Sequence, residues 1–142
     1  MEDLDLKKDL NRKKRFLKRY RKNRALIDRL ENKLAVLDDR RYKVKSPTYS
    51  DIPKGGVPVT DAELLSDKVE IENRINNLVQ KGKILKSEIL EKIDELDDPL
   101  EVEVLESFFI DCKDLDIIAD ELGYTTRHIS RVYGKAISRL SF

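Results

Sequence analysis

The sequence predicts an all-α protein: a long two-helix antiparallel coiled-coil hairpin followed by a C-terminal three-helix helix-turn-helix module. Three observations predict it. Residues 3–43 and 61–97 each keep apolar side chains at helical spacing over many turns. Between them, residues 44–60 hold Pro47, Pro53, Pro58 and the pair Gly55-Gly56, which exclude a continuous helix. Residues 98–142 then carry three short apolar-faced segments punctuated by Asp98-Pro99 and by Gly123. With 40% charged and 6% aromatic residues and no Trp, the 142-residue chain suits long helices better than one large core.

In the first segment Leu6, Leu10, Leu17, Tyr20, Ile27, Leu30, Leu34 and Leu37 form a stripe that breaks at Lys13 and Arg24. Residues 7–24 contain eleven Lys or Arg and only Asp9 as an acid. A helix this polar must pack on a partner, bind an anion or fray. Lys13, Lys14, Arg15, Lys18, Arg19 and Lys22 are therefore candidates for a phosphate-contacting arm, with a solvated helix face as the equal alternative. The cations surround the helix instead of occupying one side, which argues against a membrane-surface helix.

The linker at 44–60 is long for an ordered connection, and could wander or lie extended on the helices. It has no phosphate-loop pattern, since Lys54 precedes its glycines. Thr60 with Glu63 matches a capping box at the start of the second long helix. Two heptad tracks run through that helix, Leu64-Ile71-Leu78-Leu85 and Lys68-Ile75-Gly82-Ile89-Leu96, a coiled-coil seam weakened at Lys68 and Gly82. At ~1.5 Å per residue the two long helices would measure about 60 and 55 Å, which favours pairing within the chain. A homo-oligomer through the same seam is the competing arrangement.

Asp98 caps the next helix and Pro99 occupies its first position. Leu100, Val104, Leu105, Phe108 and Phe109 should supply the core for the last two helices. Asp114 is placed to cap a segment with Ile117, Ile118, Ala119 and Leu122. Gly123 stops it in the left-handed conformation and Tyr124 fills the turn. Thr125 then caps a last helix whose stripe is Ile129, Val132, Ala136, Ile137 and Leu140.

That stripe leaves Thr126, Arg127, His128, Ser130 and Arg131 facing outward near the helix start, where a recognition helix meets base edges. From Thr125 to Phe142 there are four cations, Arg127, Arg131, Lys135 and Arg139, and no acid; from Glu88 to Glu121 there are fourteen acids against Lys92 and Lys113. Such a change of sign is what phosphate contact requires. The candidate DNA-binding residues are thus Thr125, Thr126, Arg127, His128, Ser130, Arg131, Lys135 and Arg139. Arg127 and Arg131 would reach bases or phosphates, while Lys135 and Arg139 would hold the backbone.

Other function classes find little support. Cys112 is the one cysteine and His128 the one histidine. They cannot make a zinc site, and nothing completes a nucleophile–base–orienter set. We therefore expect no enzyme, no metal and no cofactor. Cys112, among Phe108, Phe109, Ile110 and Leu115, reads as a small buried hydrophobe. The absence of paired cysteines, of an apolar leader and of a membrane-length run predicts a soluble, cytoplasmic protein without membrane contact.

The residues DDPLEVEVLESFFIDCKDLDIIADELGYTTRHISRVYGKAISRL resemble the C-terminal module of small phage regulators of the ArpU and RinA type, a module similar to region 4 of bacterial sigma factors. The matching elements are the Asp-Pro-Leu start, the Ile118-Ala119…Leu122-Gly123-Tyr124 core and the Arg127–Arg139 helix ending in Leu. The upstream SPTYSDIPKGG, Ser46 to Gly56, is similar to a group of proteins from Gram-positive phages. The resemblance covers residues 46–142. It implies a sequence-specific transcriptional regulator of a phage or mobile element in a bacterial host cell, binding double-stranded DNA and contacting RNA polymerase. The helix opens Thr126-Arg127-His128, without the acid sigma-type helices often carry there, so promoter −35 recognition is not carried over. The alternative is a small DNA-packaging subunit, terminase-like, built as an oligomeric ring. Mass separates the two: eight or more subunits for packaging, a monomer or dimer for regulation. A third reading, a pure protein-interaction module, would show no salt-sensitive DNA binding.

Overall fold

In the computed structural model, residues 2–45 and 60–142 are described; the linker's prolines and Gly55-Gly56, and whether that stretch is ordered, lie outside the described residues. The described chain is all-helical, as its periodicities predict: α1 Glu2–Leu17, α2 Arg19–Lys45, α3 Asp61–Ile93, α4 Pro99–Phe109, α5 Leu115–Leu122 and α6 Thr126–Arg139. It forms two compact units, Met1–Asn23 with Gly82–Phe142, and Arg24–Lys81. The unit boundaries fall inside α2 and α3 and not at helix ends.

The expected single helix over 3–43 is interrupted at Lys18. Its backbone hydrogen bonds continue on both sides, Lys18 N–H to Lys14 O and Lys22 N–H to Lys18 O. Between them the Arg19 Nε–H donates to the Phe16 carbonyl at 3.1 Å, so a side chain competes for an acceptor of the helical ladder. Helix α3 likewise ends at Ile93, earlier than Asp97. Its exit is tightened by i→i+3 bonds from Glu95 to Lys92 and from Leu96 to Ile93.

In the unit of Arg24–Lys81, α2 and α3 run antiparallel, with Arg41 level with Asp61 and Asp38 level with Lys68. The seam is Ile27, Leu30, Leu34 and Leu37 against Leu64, Ile71, Ile75 and Leu78, at alternating steps of three and four. Lys68 interrupts it less than its charge suggests, because its ammonium reaches Asp38 at 2.9 Å and Glu72 at 3.9 Å. The capping box is present: the Glu63 N–H donates to Thr60 Oγ1 at 3.2 Å and the Thr60 N–H to Glu63 Oε2 at 3.4 Å.

The other unit carries the main core. Leu17, Ile89, Ile93, Leu105, Phe109, Ala136 and Ile137 are fully buried together, so α1 and the end of α3 cover one side of α4 and α6. Val104, Ile118, Ala119 and Ile129 form a second cluster that ties α4, α5 and α6. Lys13, a break in the apolar stripe by residue type, is 7% exposed and continues the stripe with its methylene stem.

Gly82 lets the two long helices approach closely in this unit. A Cβ there would stand 2.6 Å from Asn23 Nδ2 and 3.7 Å from the Tyr20 ring. Asn23 is itself buried at 4% exposure. Alanine would gain about 1 kcal/mol of helix propensity, but it must displace a buried amide. We expect Gly82→Ala to lower stability by a net of about 1–2 kcal/mol in urea unfolding. Combined with Asn23→Ala, the loss should fall well short of the sum of the single losses.

Candidate nucleic-acid interface

Helices α4, α5 and α6 build the helix-turn-helix. Asp98 Oδ1 accepts from the Leu100 N–H at 2.9 Å, and Pro99 is the first helical residue. Helix α5 ends at Gly123 with φ 76°, in the left-handed region, and the Tyr124 N–H returns to the Ala119 carbonyl at 2.9 Å. Thr125 caps α6: its Oγ1 accepts from the His128 N–H at 3.2 Å. These local features agree with the sequence reading.

Three others differ. Asp114 sits in the cap position of α5, but its side chain makes no cap bond; it turns to Arg21 at 3.4 Å. Ile117 faces solvent at 48% exposure, and Leu115 joins Ile118, Ala119 and Leu122 in facing the core. Cys112 is only half-buried and has φ 57°, which a β-carbon disfavours. It serves as the turn residue between α4 and α5, and its carbonyl accepts from Arg21 at 3.5 Å.

All eight candidate DNA-binding residues are exposed: Thr125, Thr126, Arg127, His128, Ser130, Arg131, Lys135 and Arg139. Their chemical situations differ. The Tyr124 and His128 rings touch at a centroid distance of 5.0 Å, which fixes the imidazole beside the turn. Among the described residues, Arg127, Arg131 and Lys135 have no in-chain ion pair. Arg139 is engaged: its Nη1 lies 2.7 Å from Glu101 Oε1. Glu101 is 3% exposed, and its other oxygen, Oε2, has no hydrogen-bond partner among the described residues. Arg139 is thus the counter-charge of a buried carboxylate on α4. Counting cations along α6 could not distinguish it from the other three.

The basic N-terminal cations divide in the same way. Lys13 Nζ donates to the Ser138 carbonyl at 3.2 Å and pairs with Asp9 at 3.2 Å, so it satisfies the C-terminal end of α6. The hydrogen bond from Lys13 holds the Asp9 carboxyl below its ordinary 3.8. Lys14 lies over the Tyr133 ring at 5.8 Å. Arg19 stacks on Phe16 at 4.2 Å and pairs with Glu88 at 2.7 Å. Arg21, which was not among the candidates, stacks on Phe108 at 4.1 Å. Arg15, Lys18 and Lys22 have no in-chain ion pair among the described residues. Much of this helix's charge therefore holds it against α3, α4 and α6.

The opposite sign gathers elsewhere on the unit. A cleft of about 670 Å³ beside α4 and α5 is lined by Asp97, Glu103, Glu106, Asp111 and Glu121, with Lys113 beside them. Lys113 pairs with Glu121 at 2.9 Å, and that hydrogen bond raises its pKa above 10.5. Among the described residues no group of His, Cys, Asp and Glu is arranged to hold a metal ion, and no helix is long and apolar enough to cross a membrane.

Tyr133, on the inner side of α6, packs edge-on against Phe108 at 4.9 Å and stacks with Phe109 at 5.7 Å. Burial raises its pKa above the ordinary 10.0, against the opposing charge of Arg21. A phenol that resists ionisation in the fold stabilises it fully below the unfolded pKa. That contribution is lost as pH rises through the folded value. Thermal melts should therefore weaken above about pH 10, and Tyr133→Phe should flatten that alkaline limb.

The chain matches no family model, no curated protein and no solved structure.

Proposed function

We propose that the protein is a sequence-specific DNA-binding regulator of transcription for a phage or mobile genetic element, and that α6 is its reading helix. The observation that carries this is the state of three cations. Arg127, Arg131 and Lys135 project from a helix without acids and have no in-chain ion pair among the described residues, whereas Arg139, Lys13 and Arg19 are all paired. Unpaired cations along one exposed face fit a polyanion better than they fit stability. The exposed start of α6 adds free backbone N–H groups and the positive end of the helix dipole.

On this reading Arg127 and Arg131 contact base edges or nearby phosphates, with Thr126, His128 and Ser130 beside them, and Lys135 holds the backbone. Thr125 acts through its cap. Arg139 and Lys13 position α6 and do not touch DNA. Arg15, Lys18 and Lys22 remain available for phosphates. Contact with RNA polymerase, implied by the resemblance to phage regulators, would fall to surfaces other than this helix face.

The test is retention of sheared DNA from the source genome by the full chain, with sequencing of the retained fragments. Enrichment of one recurring sequence near promoters is expected. Uniform retention of all fragments, or none, would contradict sequence-specific regulation.

A further inference from the structure

We propose that the α2–α3 pair of residues Arg24–Lys81 is half of an interface, and that a second copy of this chain covers its groove in a parallel twofold arrangement. The seam is too thin to seal itself. In this unit Ile27, Leu30, Leu37 and Leu64 are buried, but Leu34, Ile71, Ile75 and Leu78 are only partly buried. Leu26 and Val36 stand out at 49% and 54% exposure. Two helices alone leave the outer side of the remaining seam residues partly in water, and four helices close it.

One side of the pair is a groove. Two adjoining cavities of about 830 and 440 Å³ share Arg29, Leu30, Lys33 and Arg74 in their lining. The floor is Leu30, Leu37 and Ile71, with Val36 at the rim. Much of the charge on the pair is matched within the chain. Arg24 with Asp28, Arg41 with Asp61, Lys43 with Asp39, and Lys68 with Asp38 are all matched within the chain. Along the groove Arg29, Lys33 and Arg40 of α2, and Asp67 and Glu70 of α3, have no ion pair among the described residues. Toward the Arg40 end the α2 wall is thus basic and the α3 wall acidic, and neither uses the other; Arg74 is the unpaired cation of the α3 wall.

That pattern selects the occupant and its orientation. A twofold axis parallel to the helices lays α2 of each copy over α3 of the other, and every residue keeps its own height. Because Arg41 is level with Asp61, and Asp38 with Lys68, Arg40 comes within a helical turn of Asp67 of the second copy. Lys33 likewise comes within a turn of Glu70. At the far end Arg74 comes level with Arg29 and Lys33, so the charge match is confined to the Arg40–Asp67 and Lys33–Glu70 levels. An axis perpendicular to the helices would instead set α2 on α2, with Arg29, Lys33 and Arg40 facing their own like. Burial of Val36, Ile71 and the open seam supplies the attraction, while the charged walls set register and direction.

The experiment is sedimentation velocity on the full chain over a wide concentration range, with charge reversals on the groove. The unmodified chain should show a species of twice 16.6 kDa. Arg40→Glu and Asp67→Arg should each raise the dissociation constant about tenfold or more. The combined variant should return to within about threefold of the original, with unchanged helicity by circular dichroism in all three. A monomer at every concentration would overturn the proposal. So would a dimer indifferent to both reversals, or an assembly much larger than a dimer. None of these outcomes depends on whether the protein binds DNA.

Discussion

Arg139→Ala should cost the fold about 2–3 kcal/mol, far more than removal of an exposed arginine ordinarily does. The Glu101 carboxylate is 3% exposed, and its charged partner is the Arg139 guanidinium at 2.7 Å. Its second oxygen has no hydrogen bond among the described residues. Removing Arg139 strands a charge between α4 and α6, and breaking a buried pair of this kind costs about 3–5 kcal/mol. The lower figure applies because Arg139 is half in water and solvent can enter where it leaves. Glu101→Gln in the Arg139→Ala background removes the stranded charge and should recover part of the loss. Urea midpoints for the two single variants and the double separate this from simple loss of surface charge. If Arg139→Ala behaves like Lys135→Ala, the buried pair is not holding the module.

Arg127→Ala with Arg131→Ala should leave folding within about 0.5 kcal/mol of the original, as exposed substitutions usually do. On the proposed function the same pair of changes should abolish specific DNA binding. Each side chain would contribute about 1–3 kcal/mol of discrimination, so together they span about two to four orders of magnitude in affinity. Lys135→Ala should act differently, weakening all sequences equally and shallowing the salt dependence. Arg139→Ala and the Arg127→Ala/Arg131→Ala pair thus form opposite cases on one helix. Arg139 is expected to govern stability and, on the proposed function, the other two to govern recognition.

The contrast explains what could be read from the amino-acid order. Caps and helix ends depend on a few neighbouring residues. Thr60 with Glu63, Asp98 with Pro99, Gly123 and Thr125 therefore act as the sequence suggests. The seam of the long pair was legible for a similar reason, since heptad spacing is a local property of each helix. The distribution of cations between stability and recognition was not legible. Lys13 reaches Ser138, Arg19 reaches Glu88, Arg21 reaches Asp114, and Arg139 reaches Glu101. Each contact joins residues far apart in the chain, and composition treats all of these cations as equally available. With Lys13 and Arg19 so engaged and Lys14 lying over the Tyr133 ring, Arg15, Lys18 and Lys22 are what is left of the candidate arm. Asp114 and Cys112 differ for the same reason: Arg21, arriving from α2, takes the Asp114 carboxylate and the Cys112 carbonyl.

The most direct measurement of the central claim, that the unpaired cations of α6 read DNA, is fluorescence anisotropy with the fragment selected from the source genome. It should be compared with an unrelated duplex over a series of salt concentrations. We predict a linear fall of log affinity with log salt, tighter binding to the selected fragment, and loss of that preference in Arg127→Ala/Arg131→Ala at unchanged helicity. Equal affinity for both duplexes, or a double variant that keeps the preference, would contradict it.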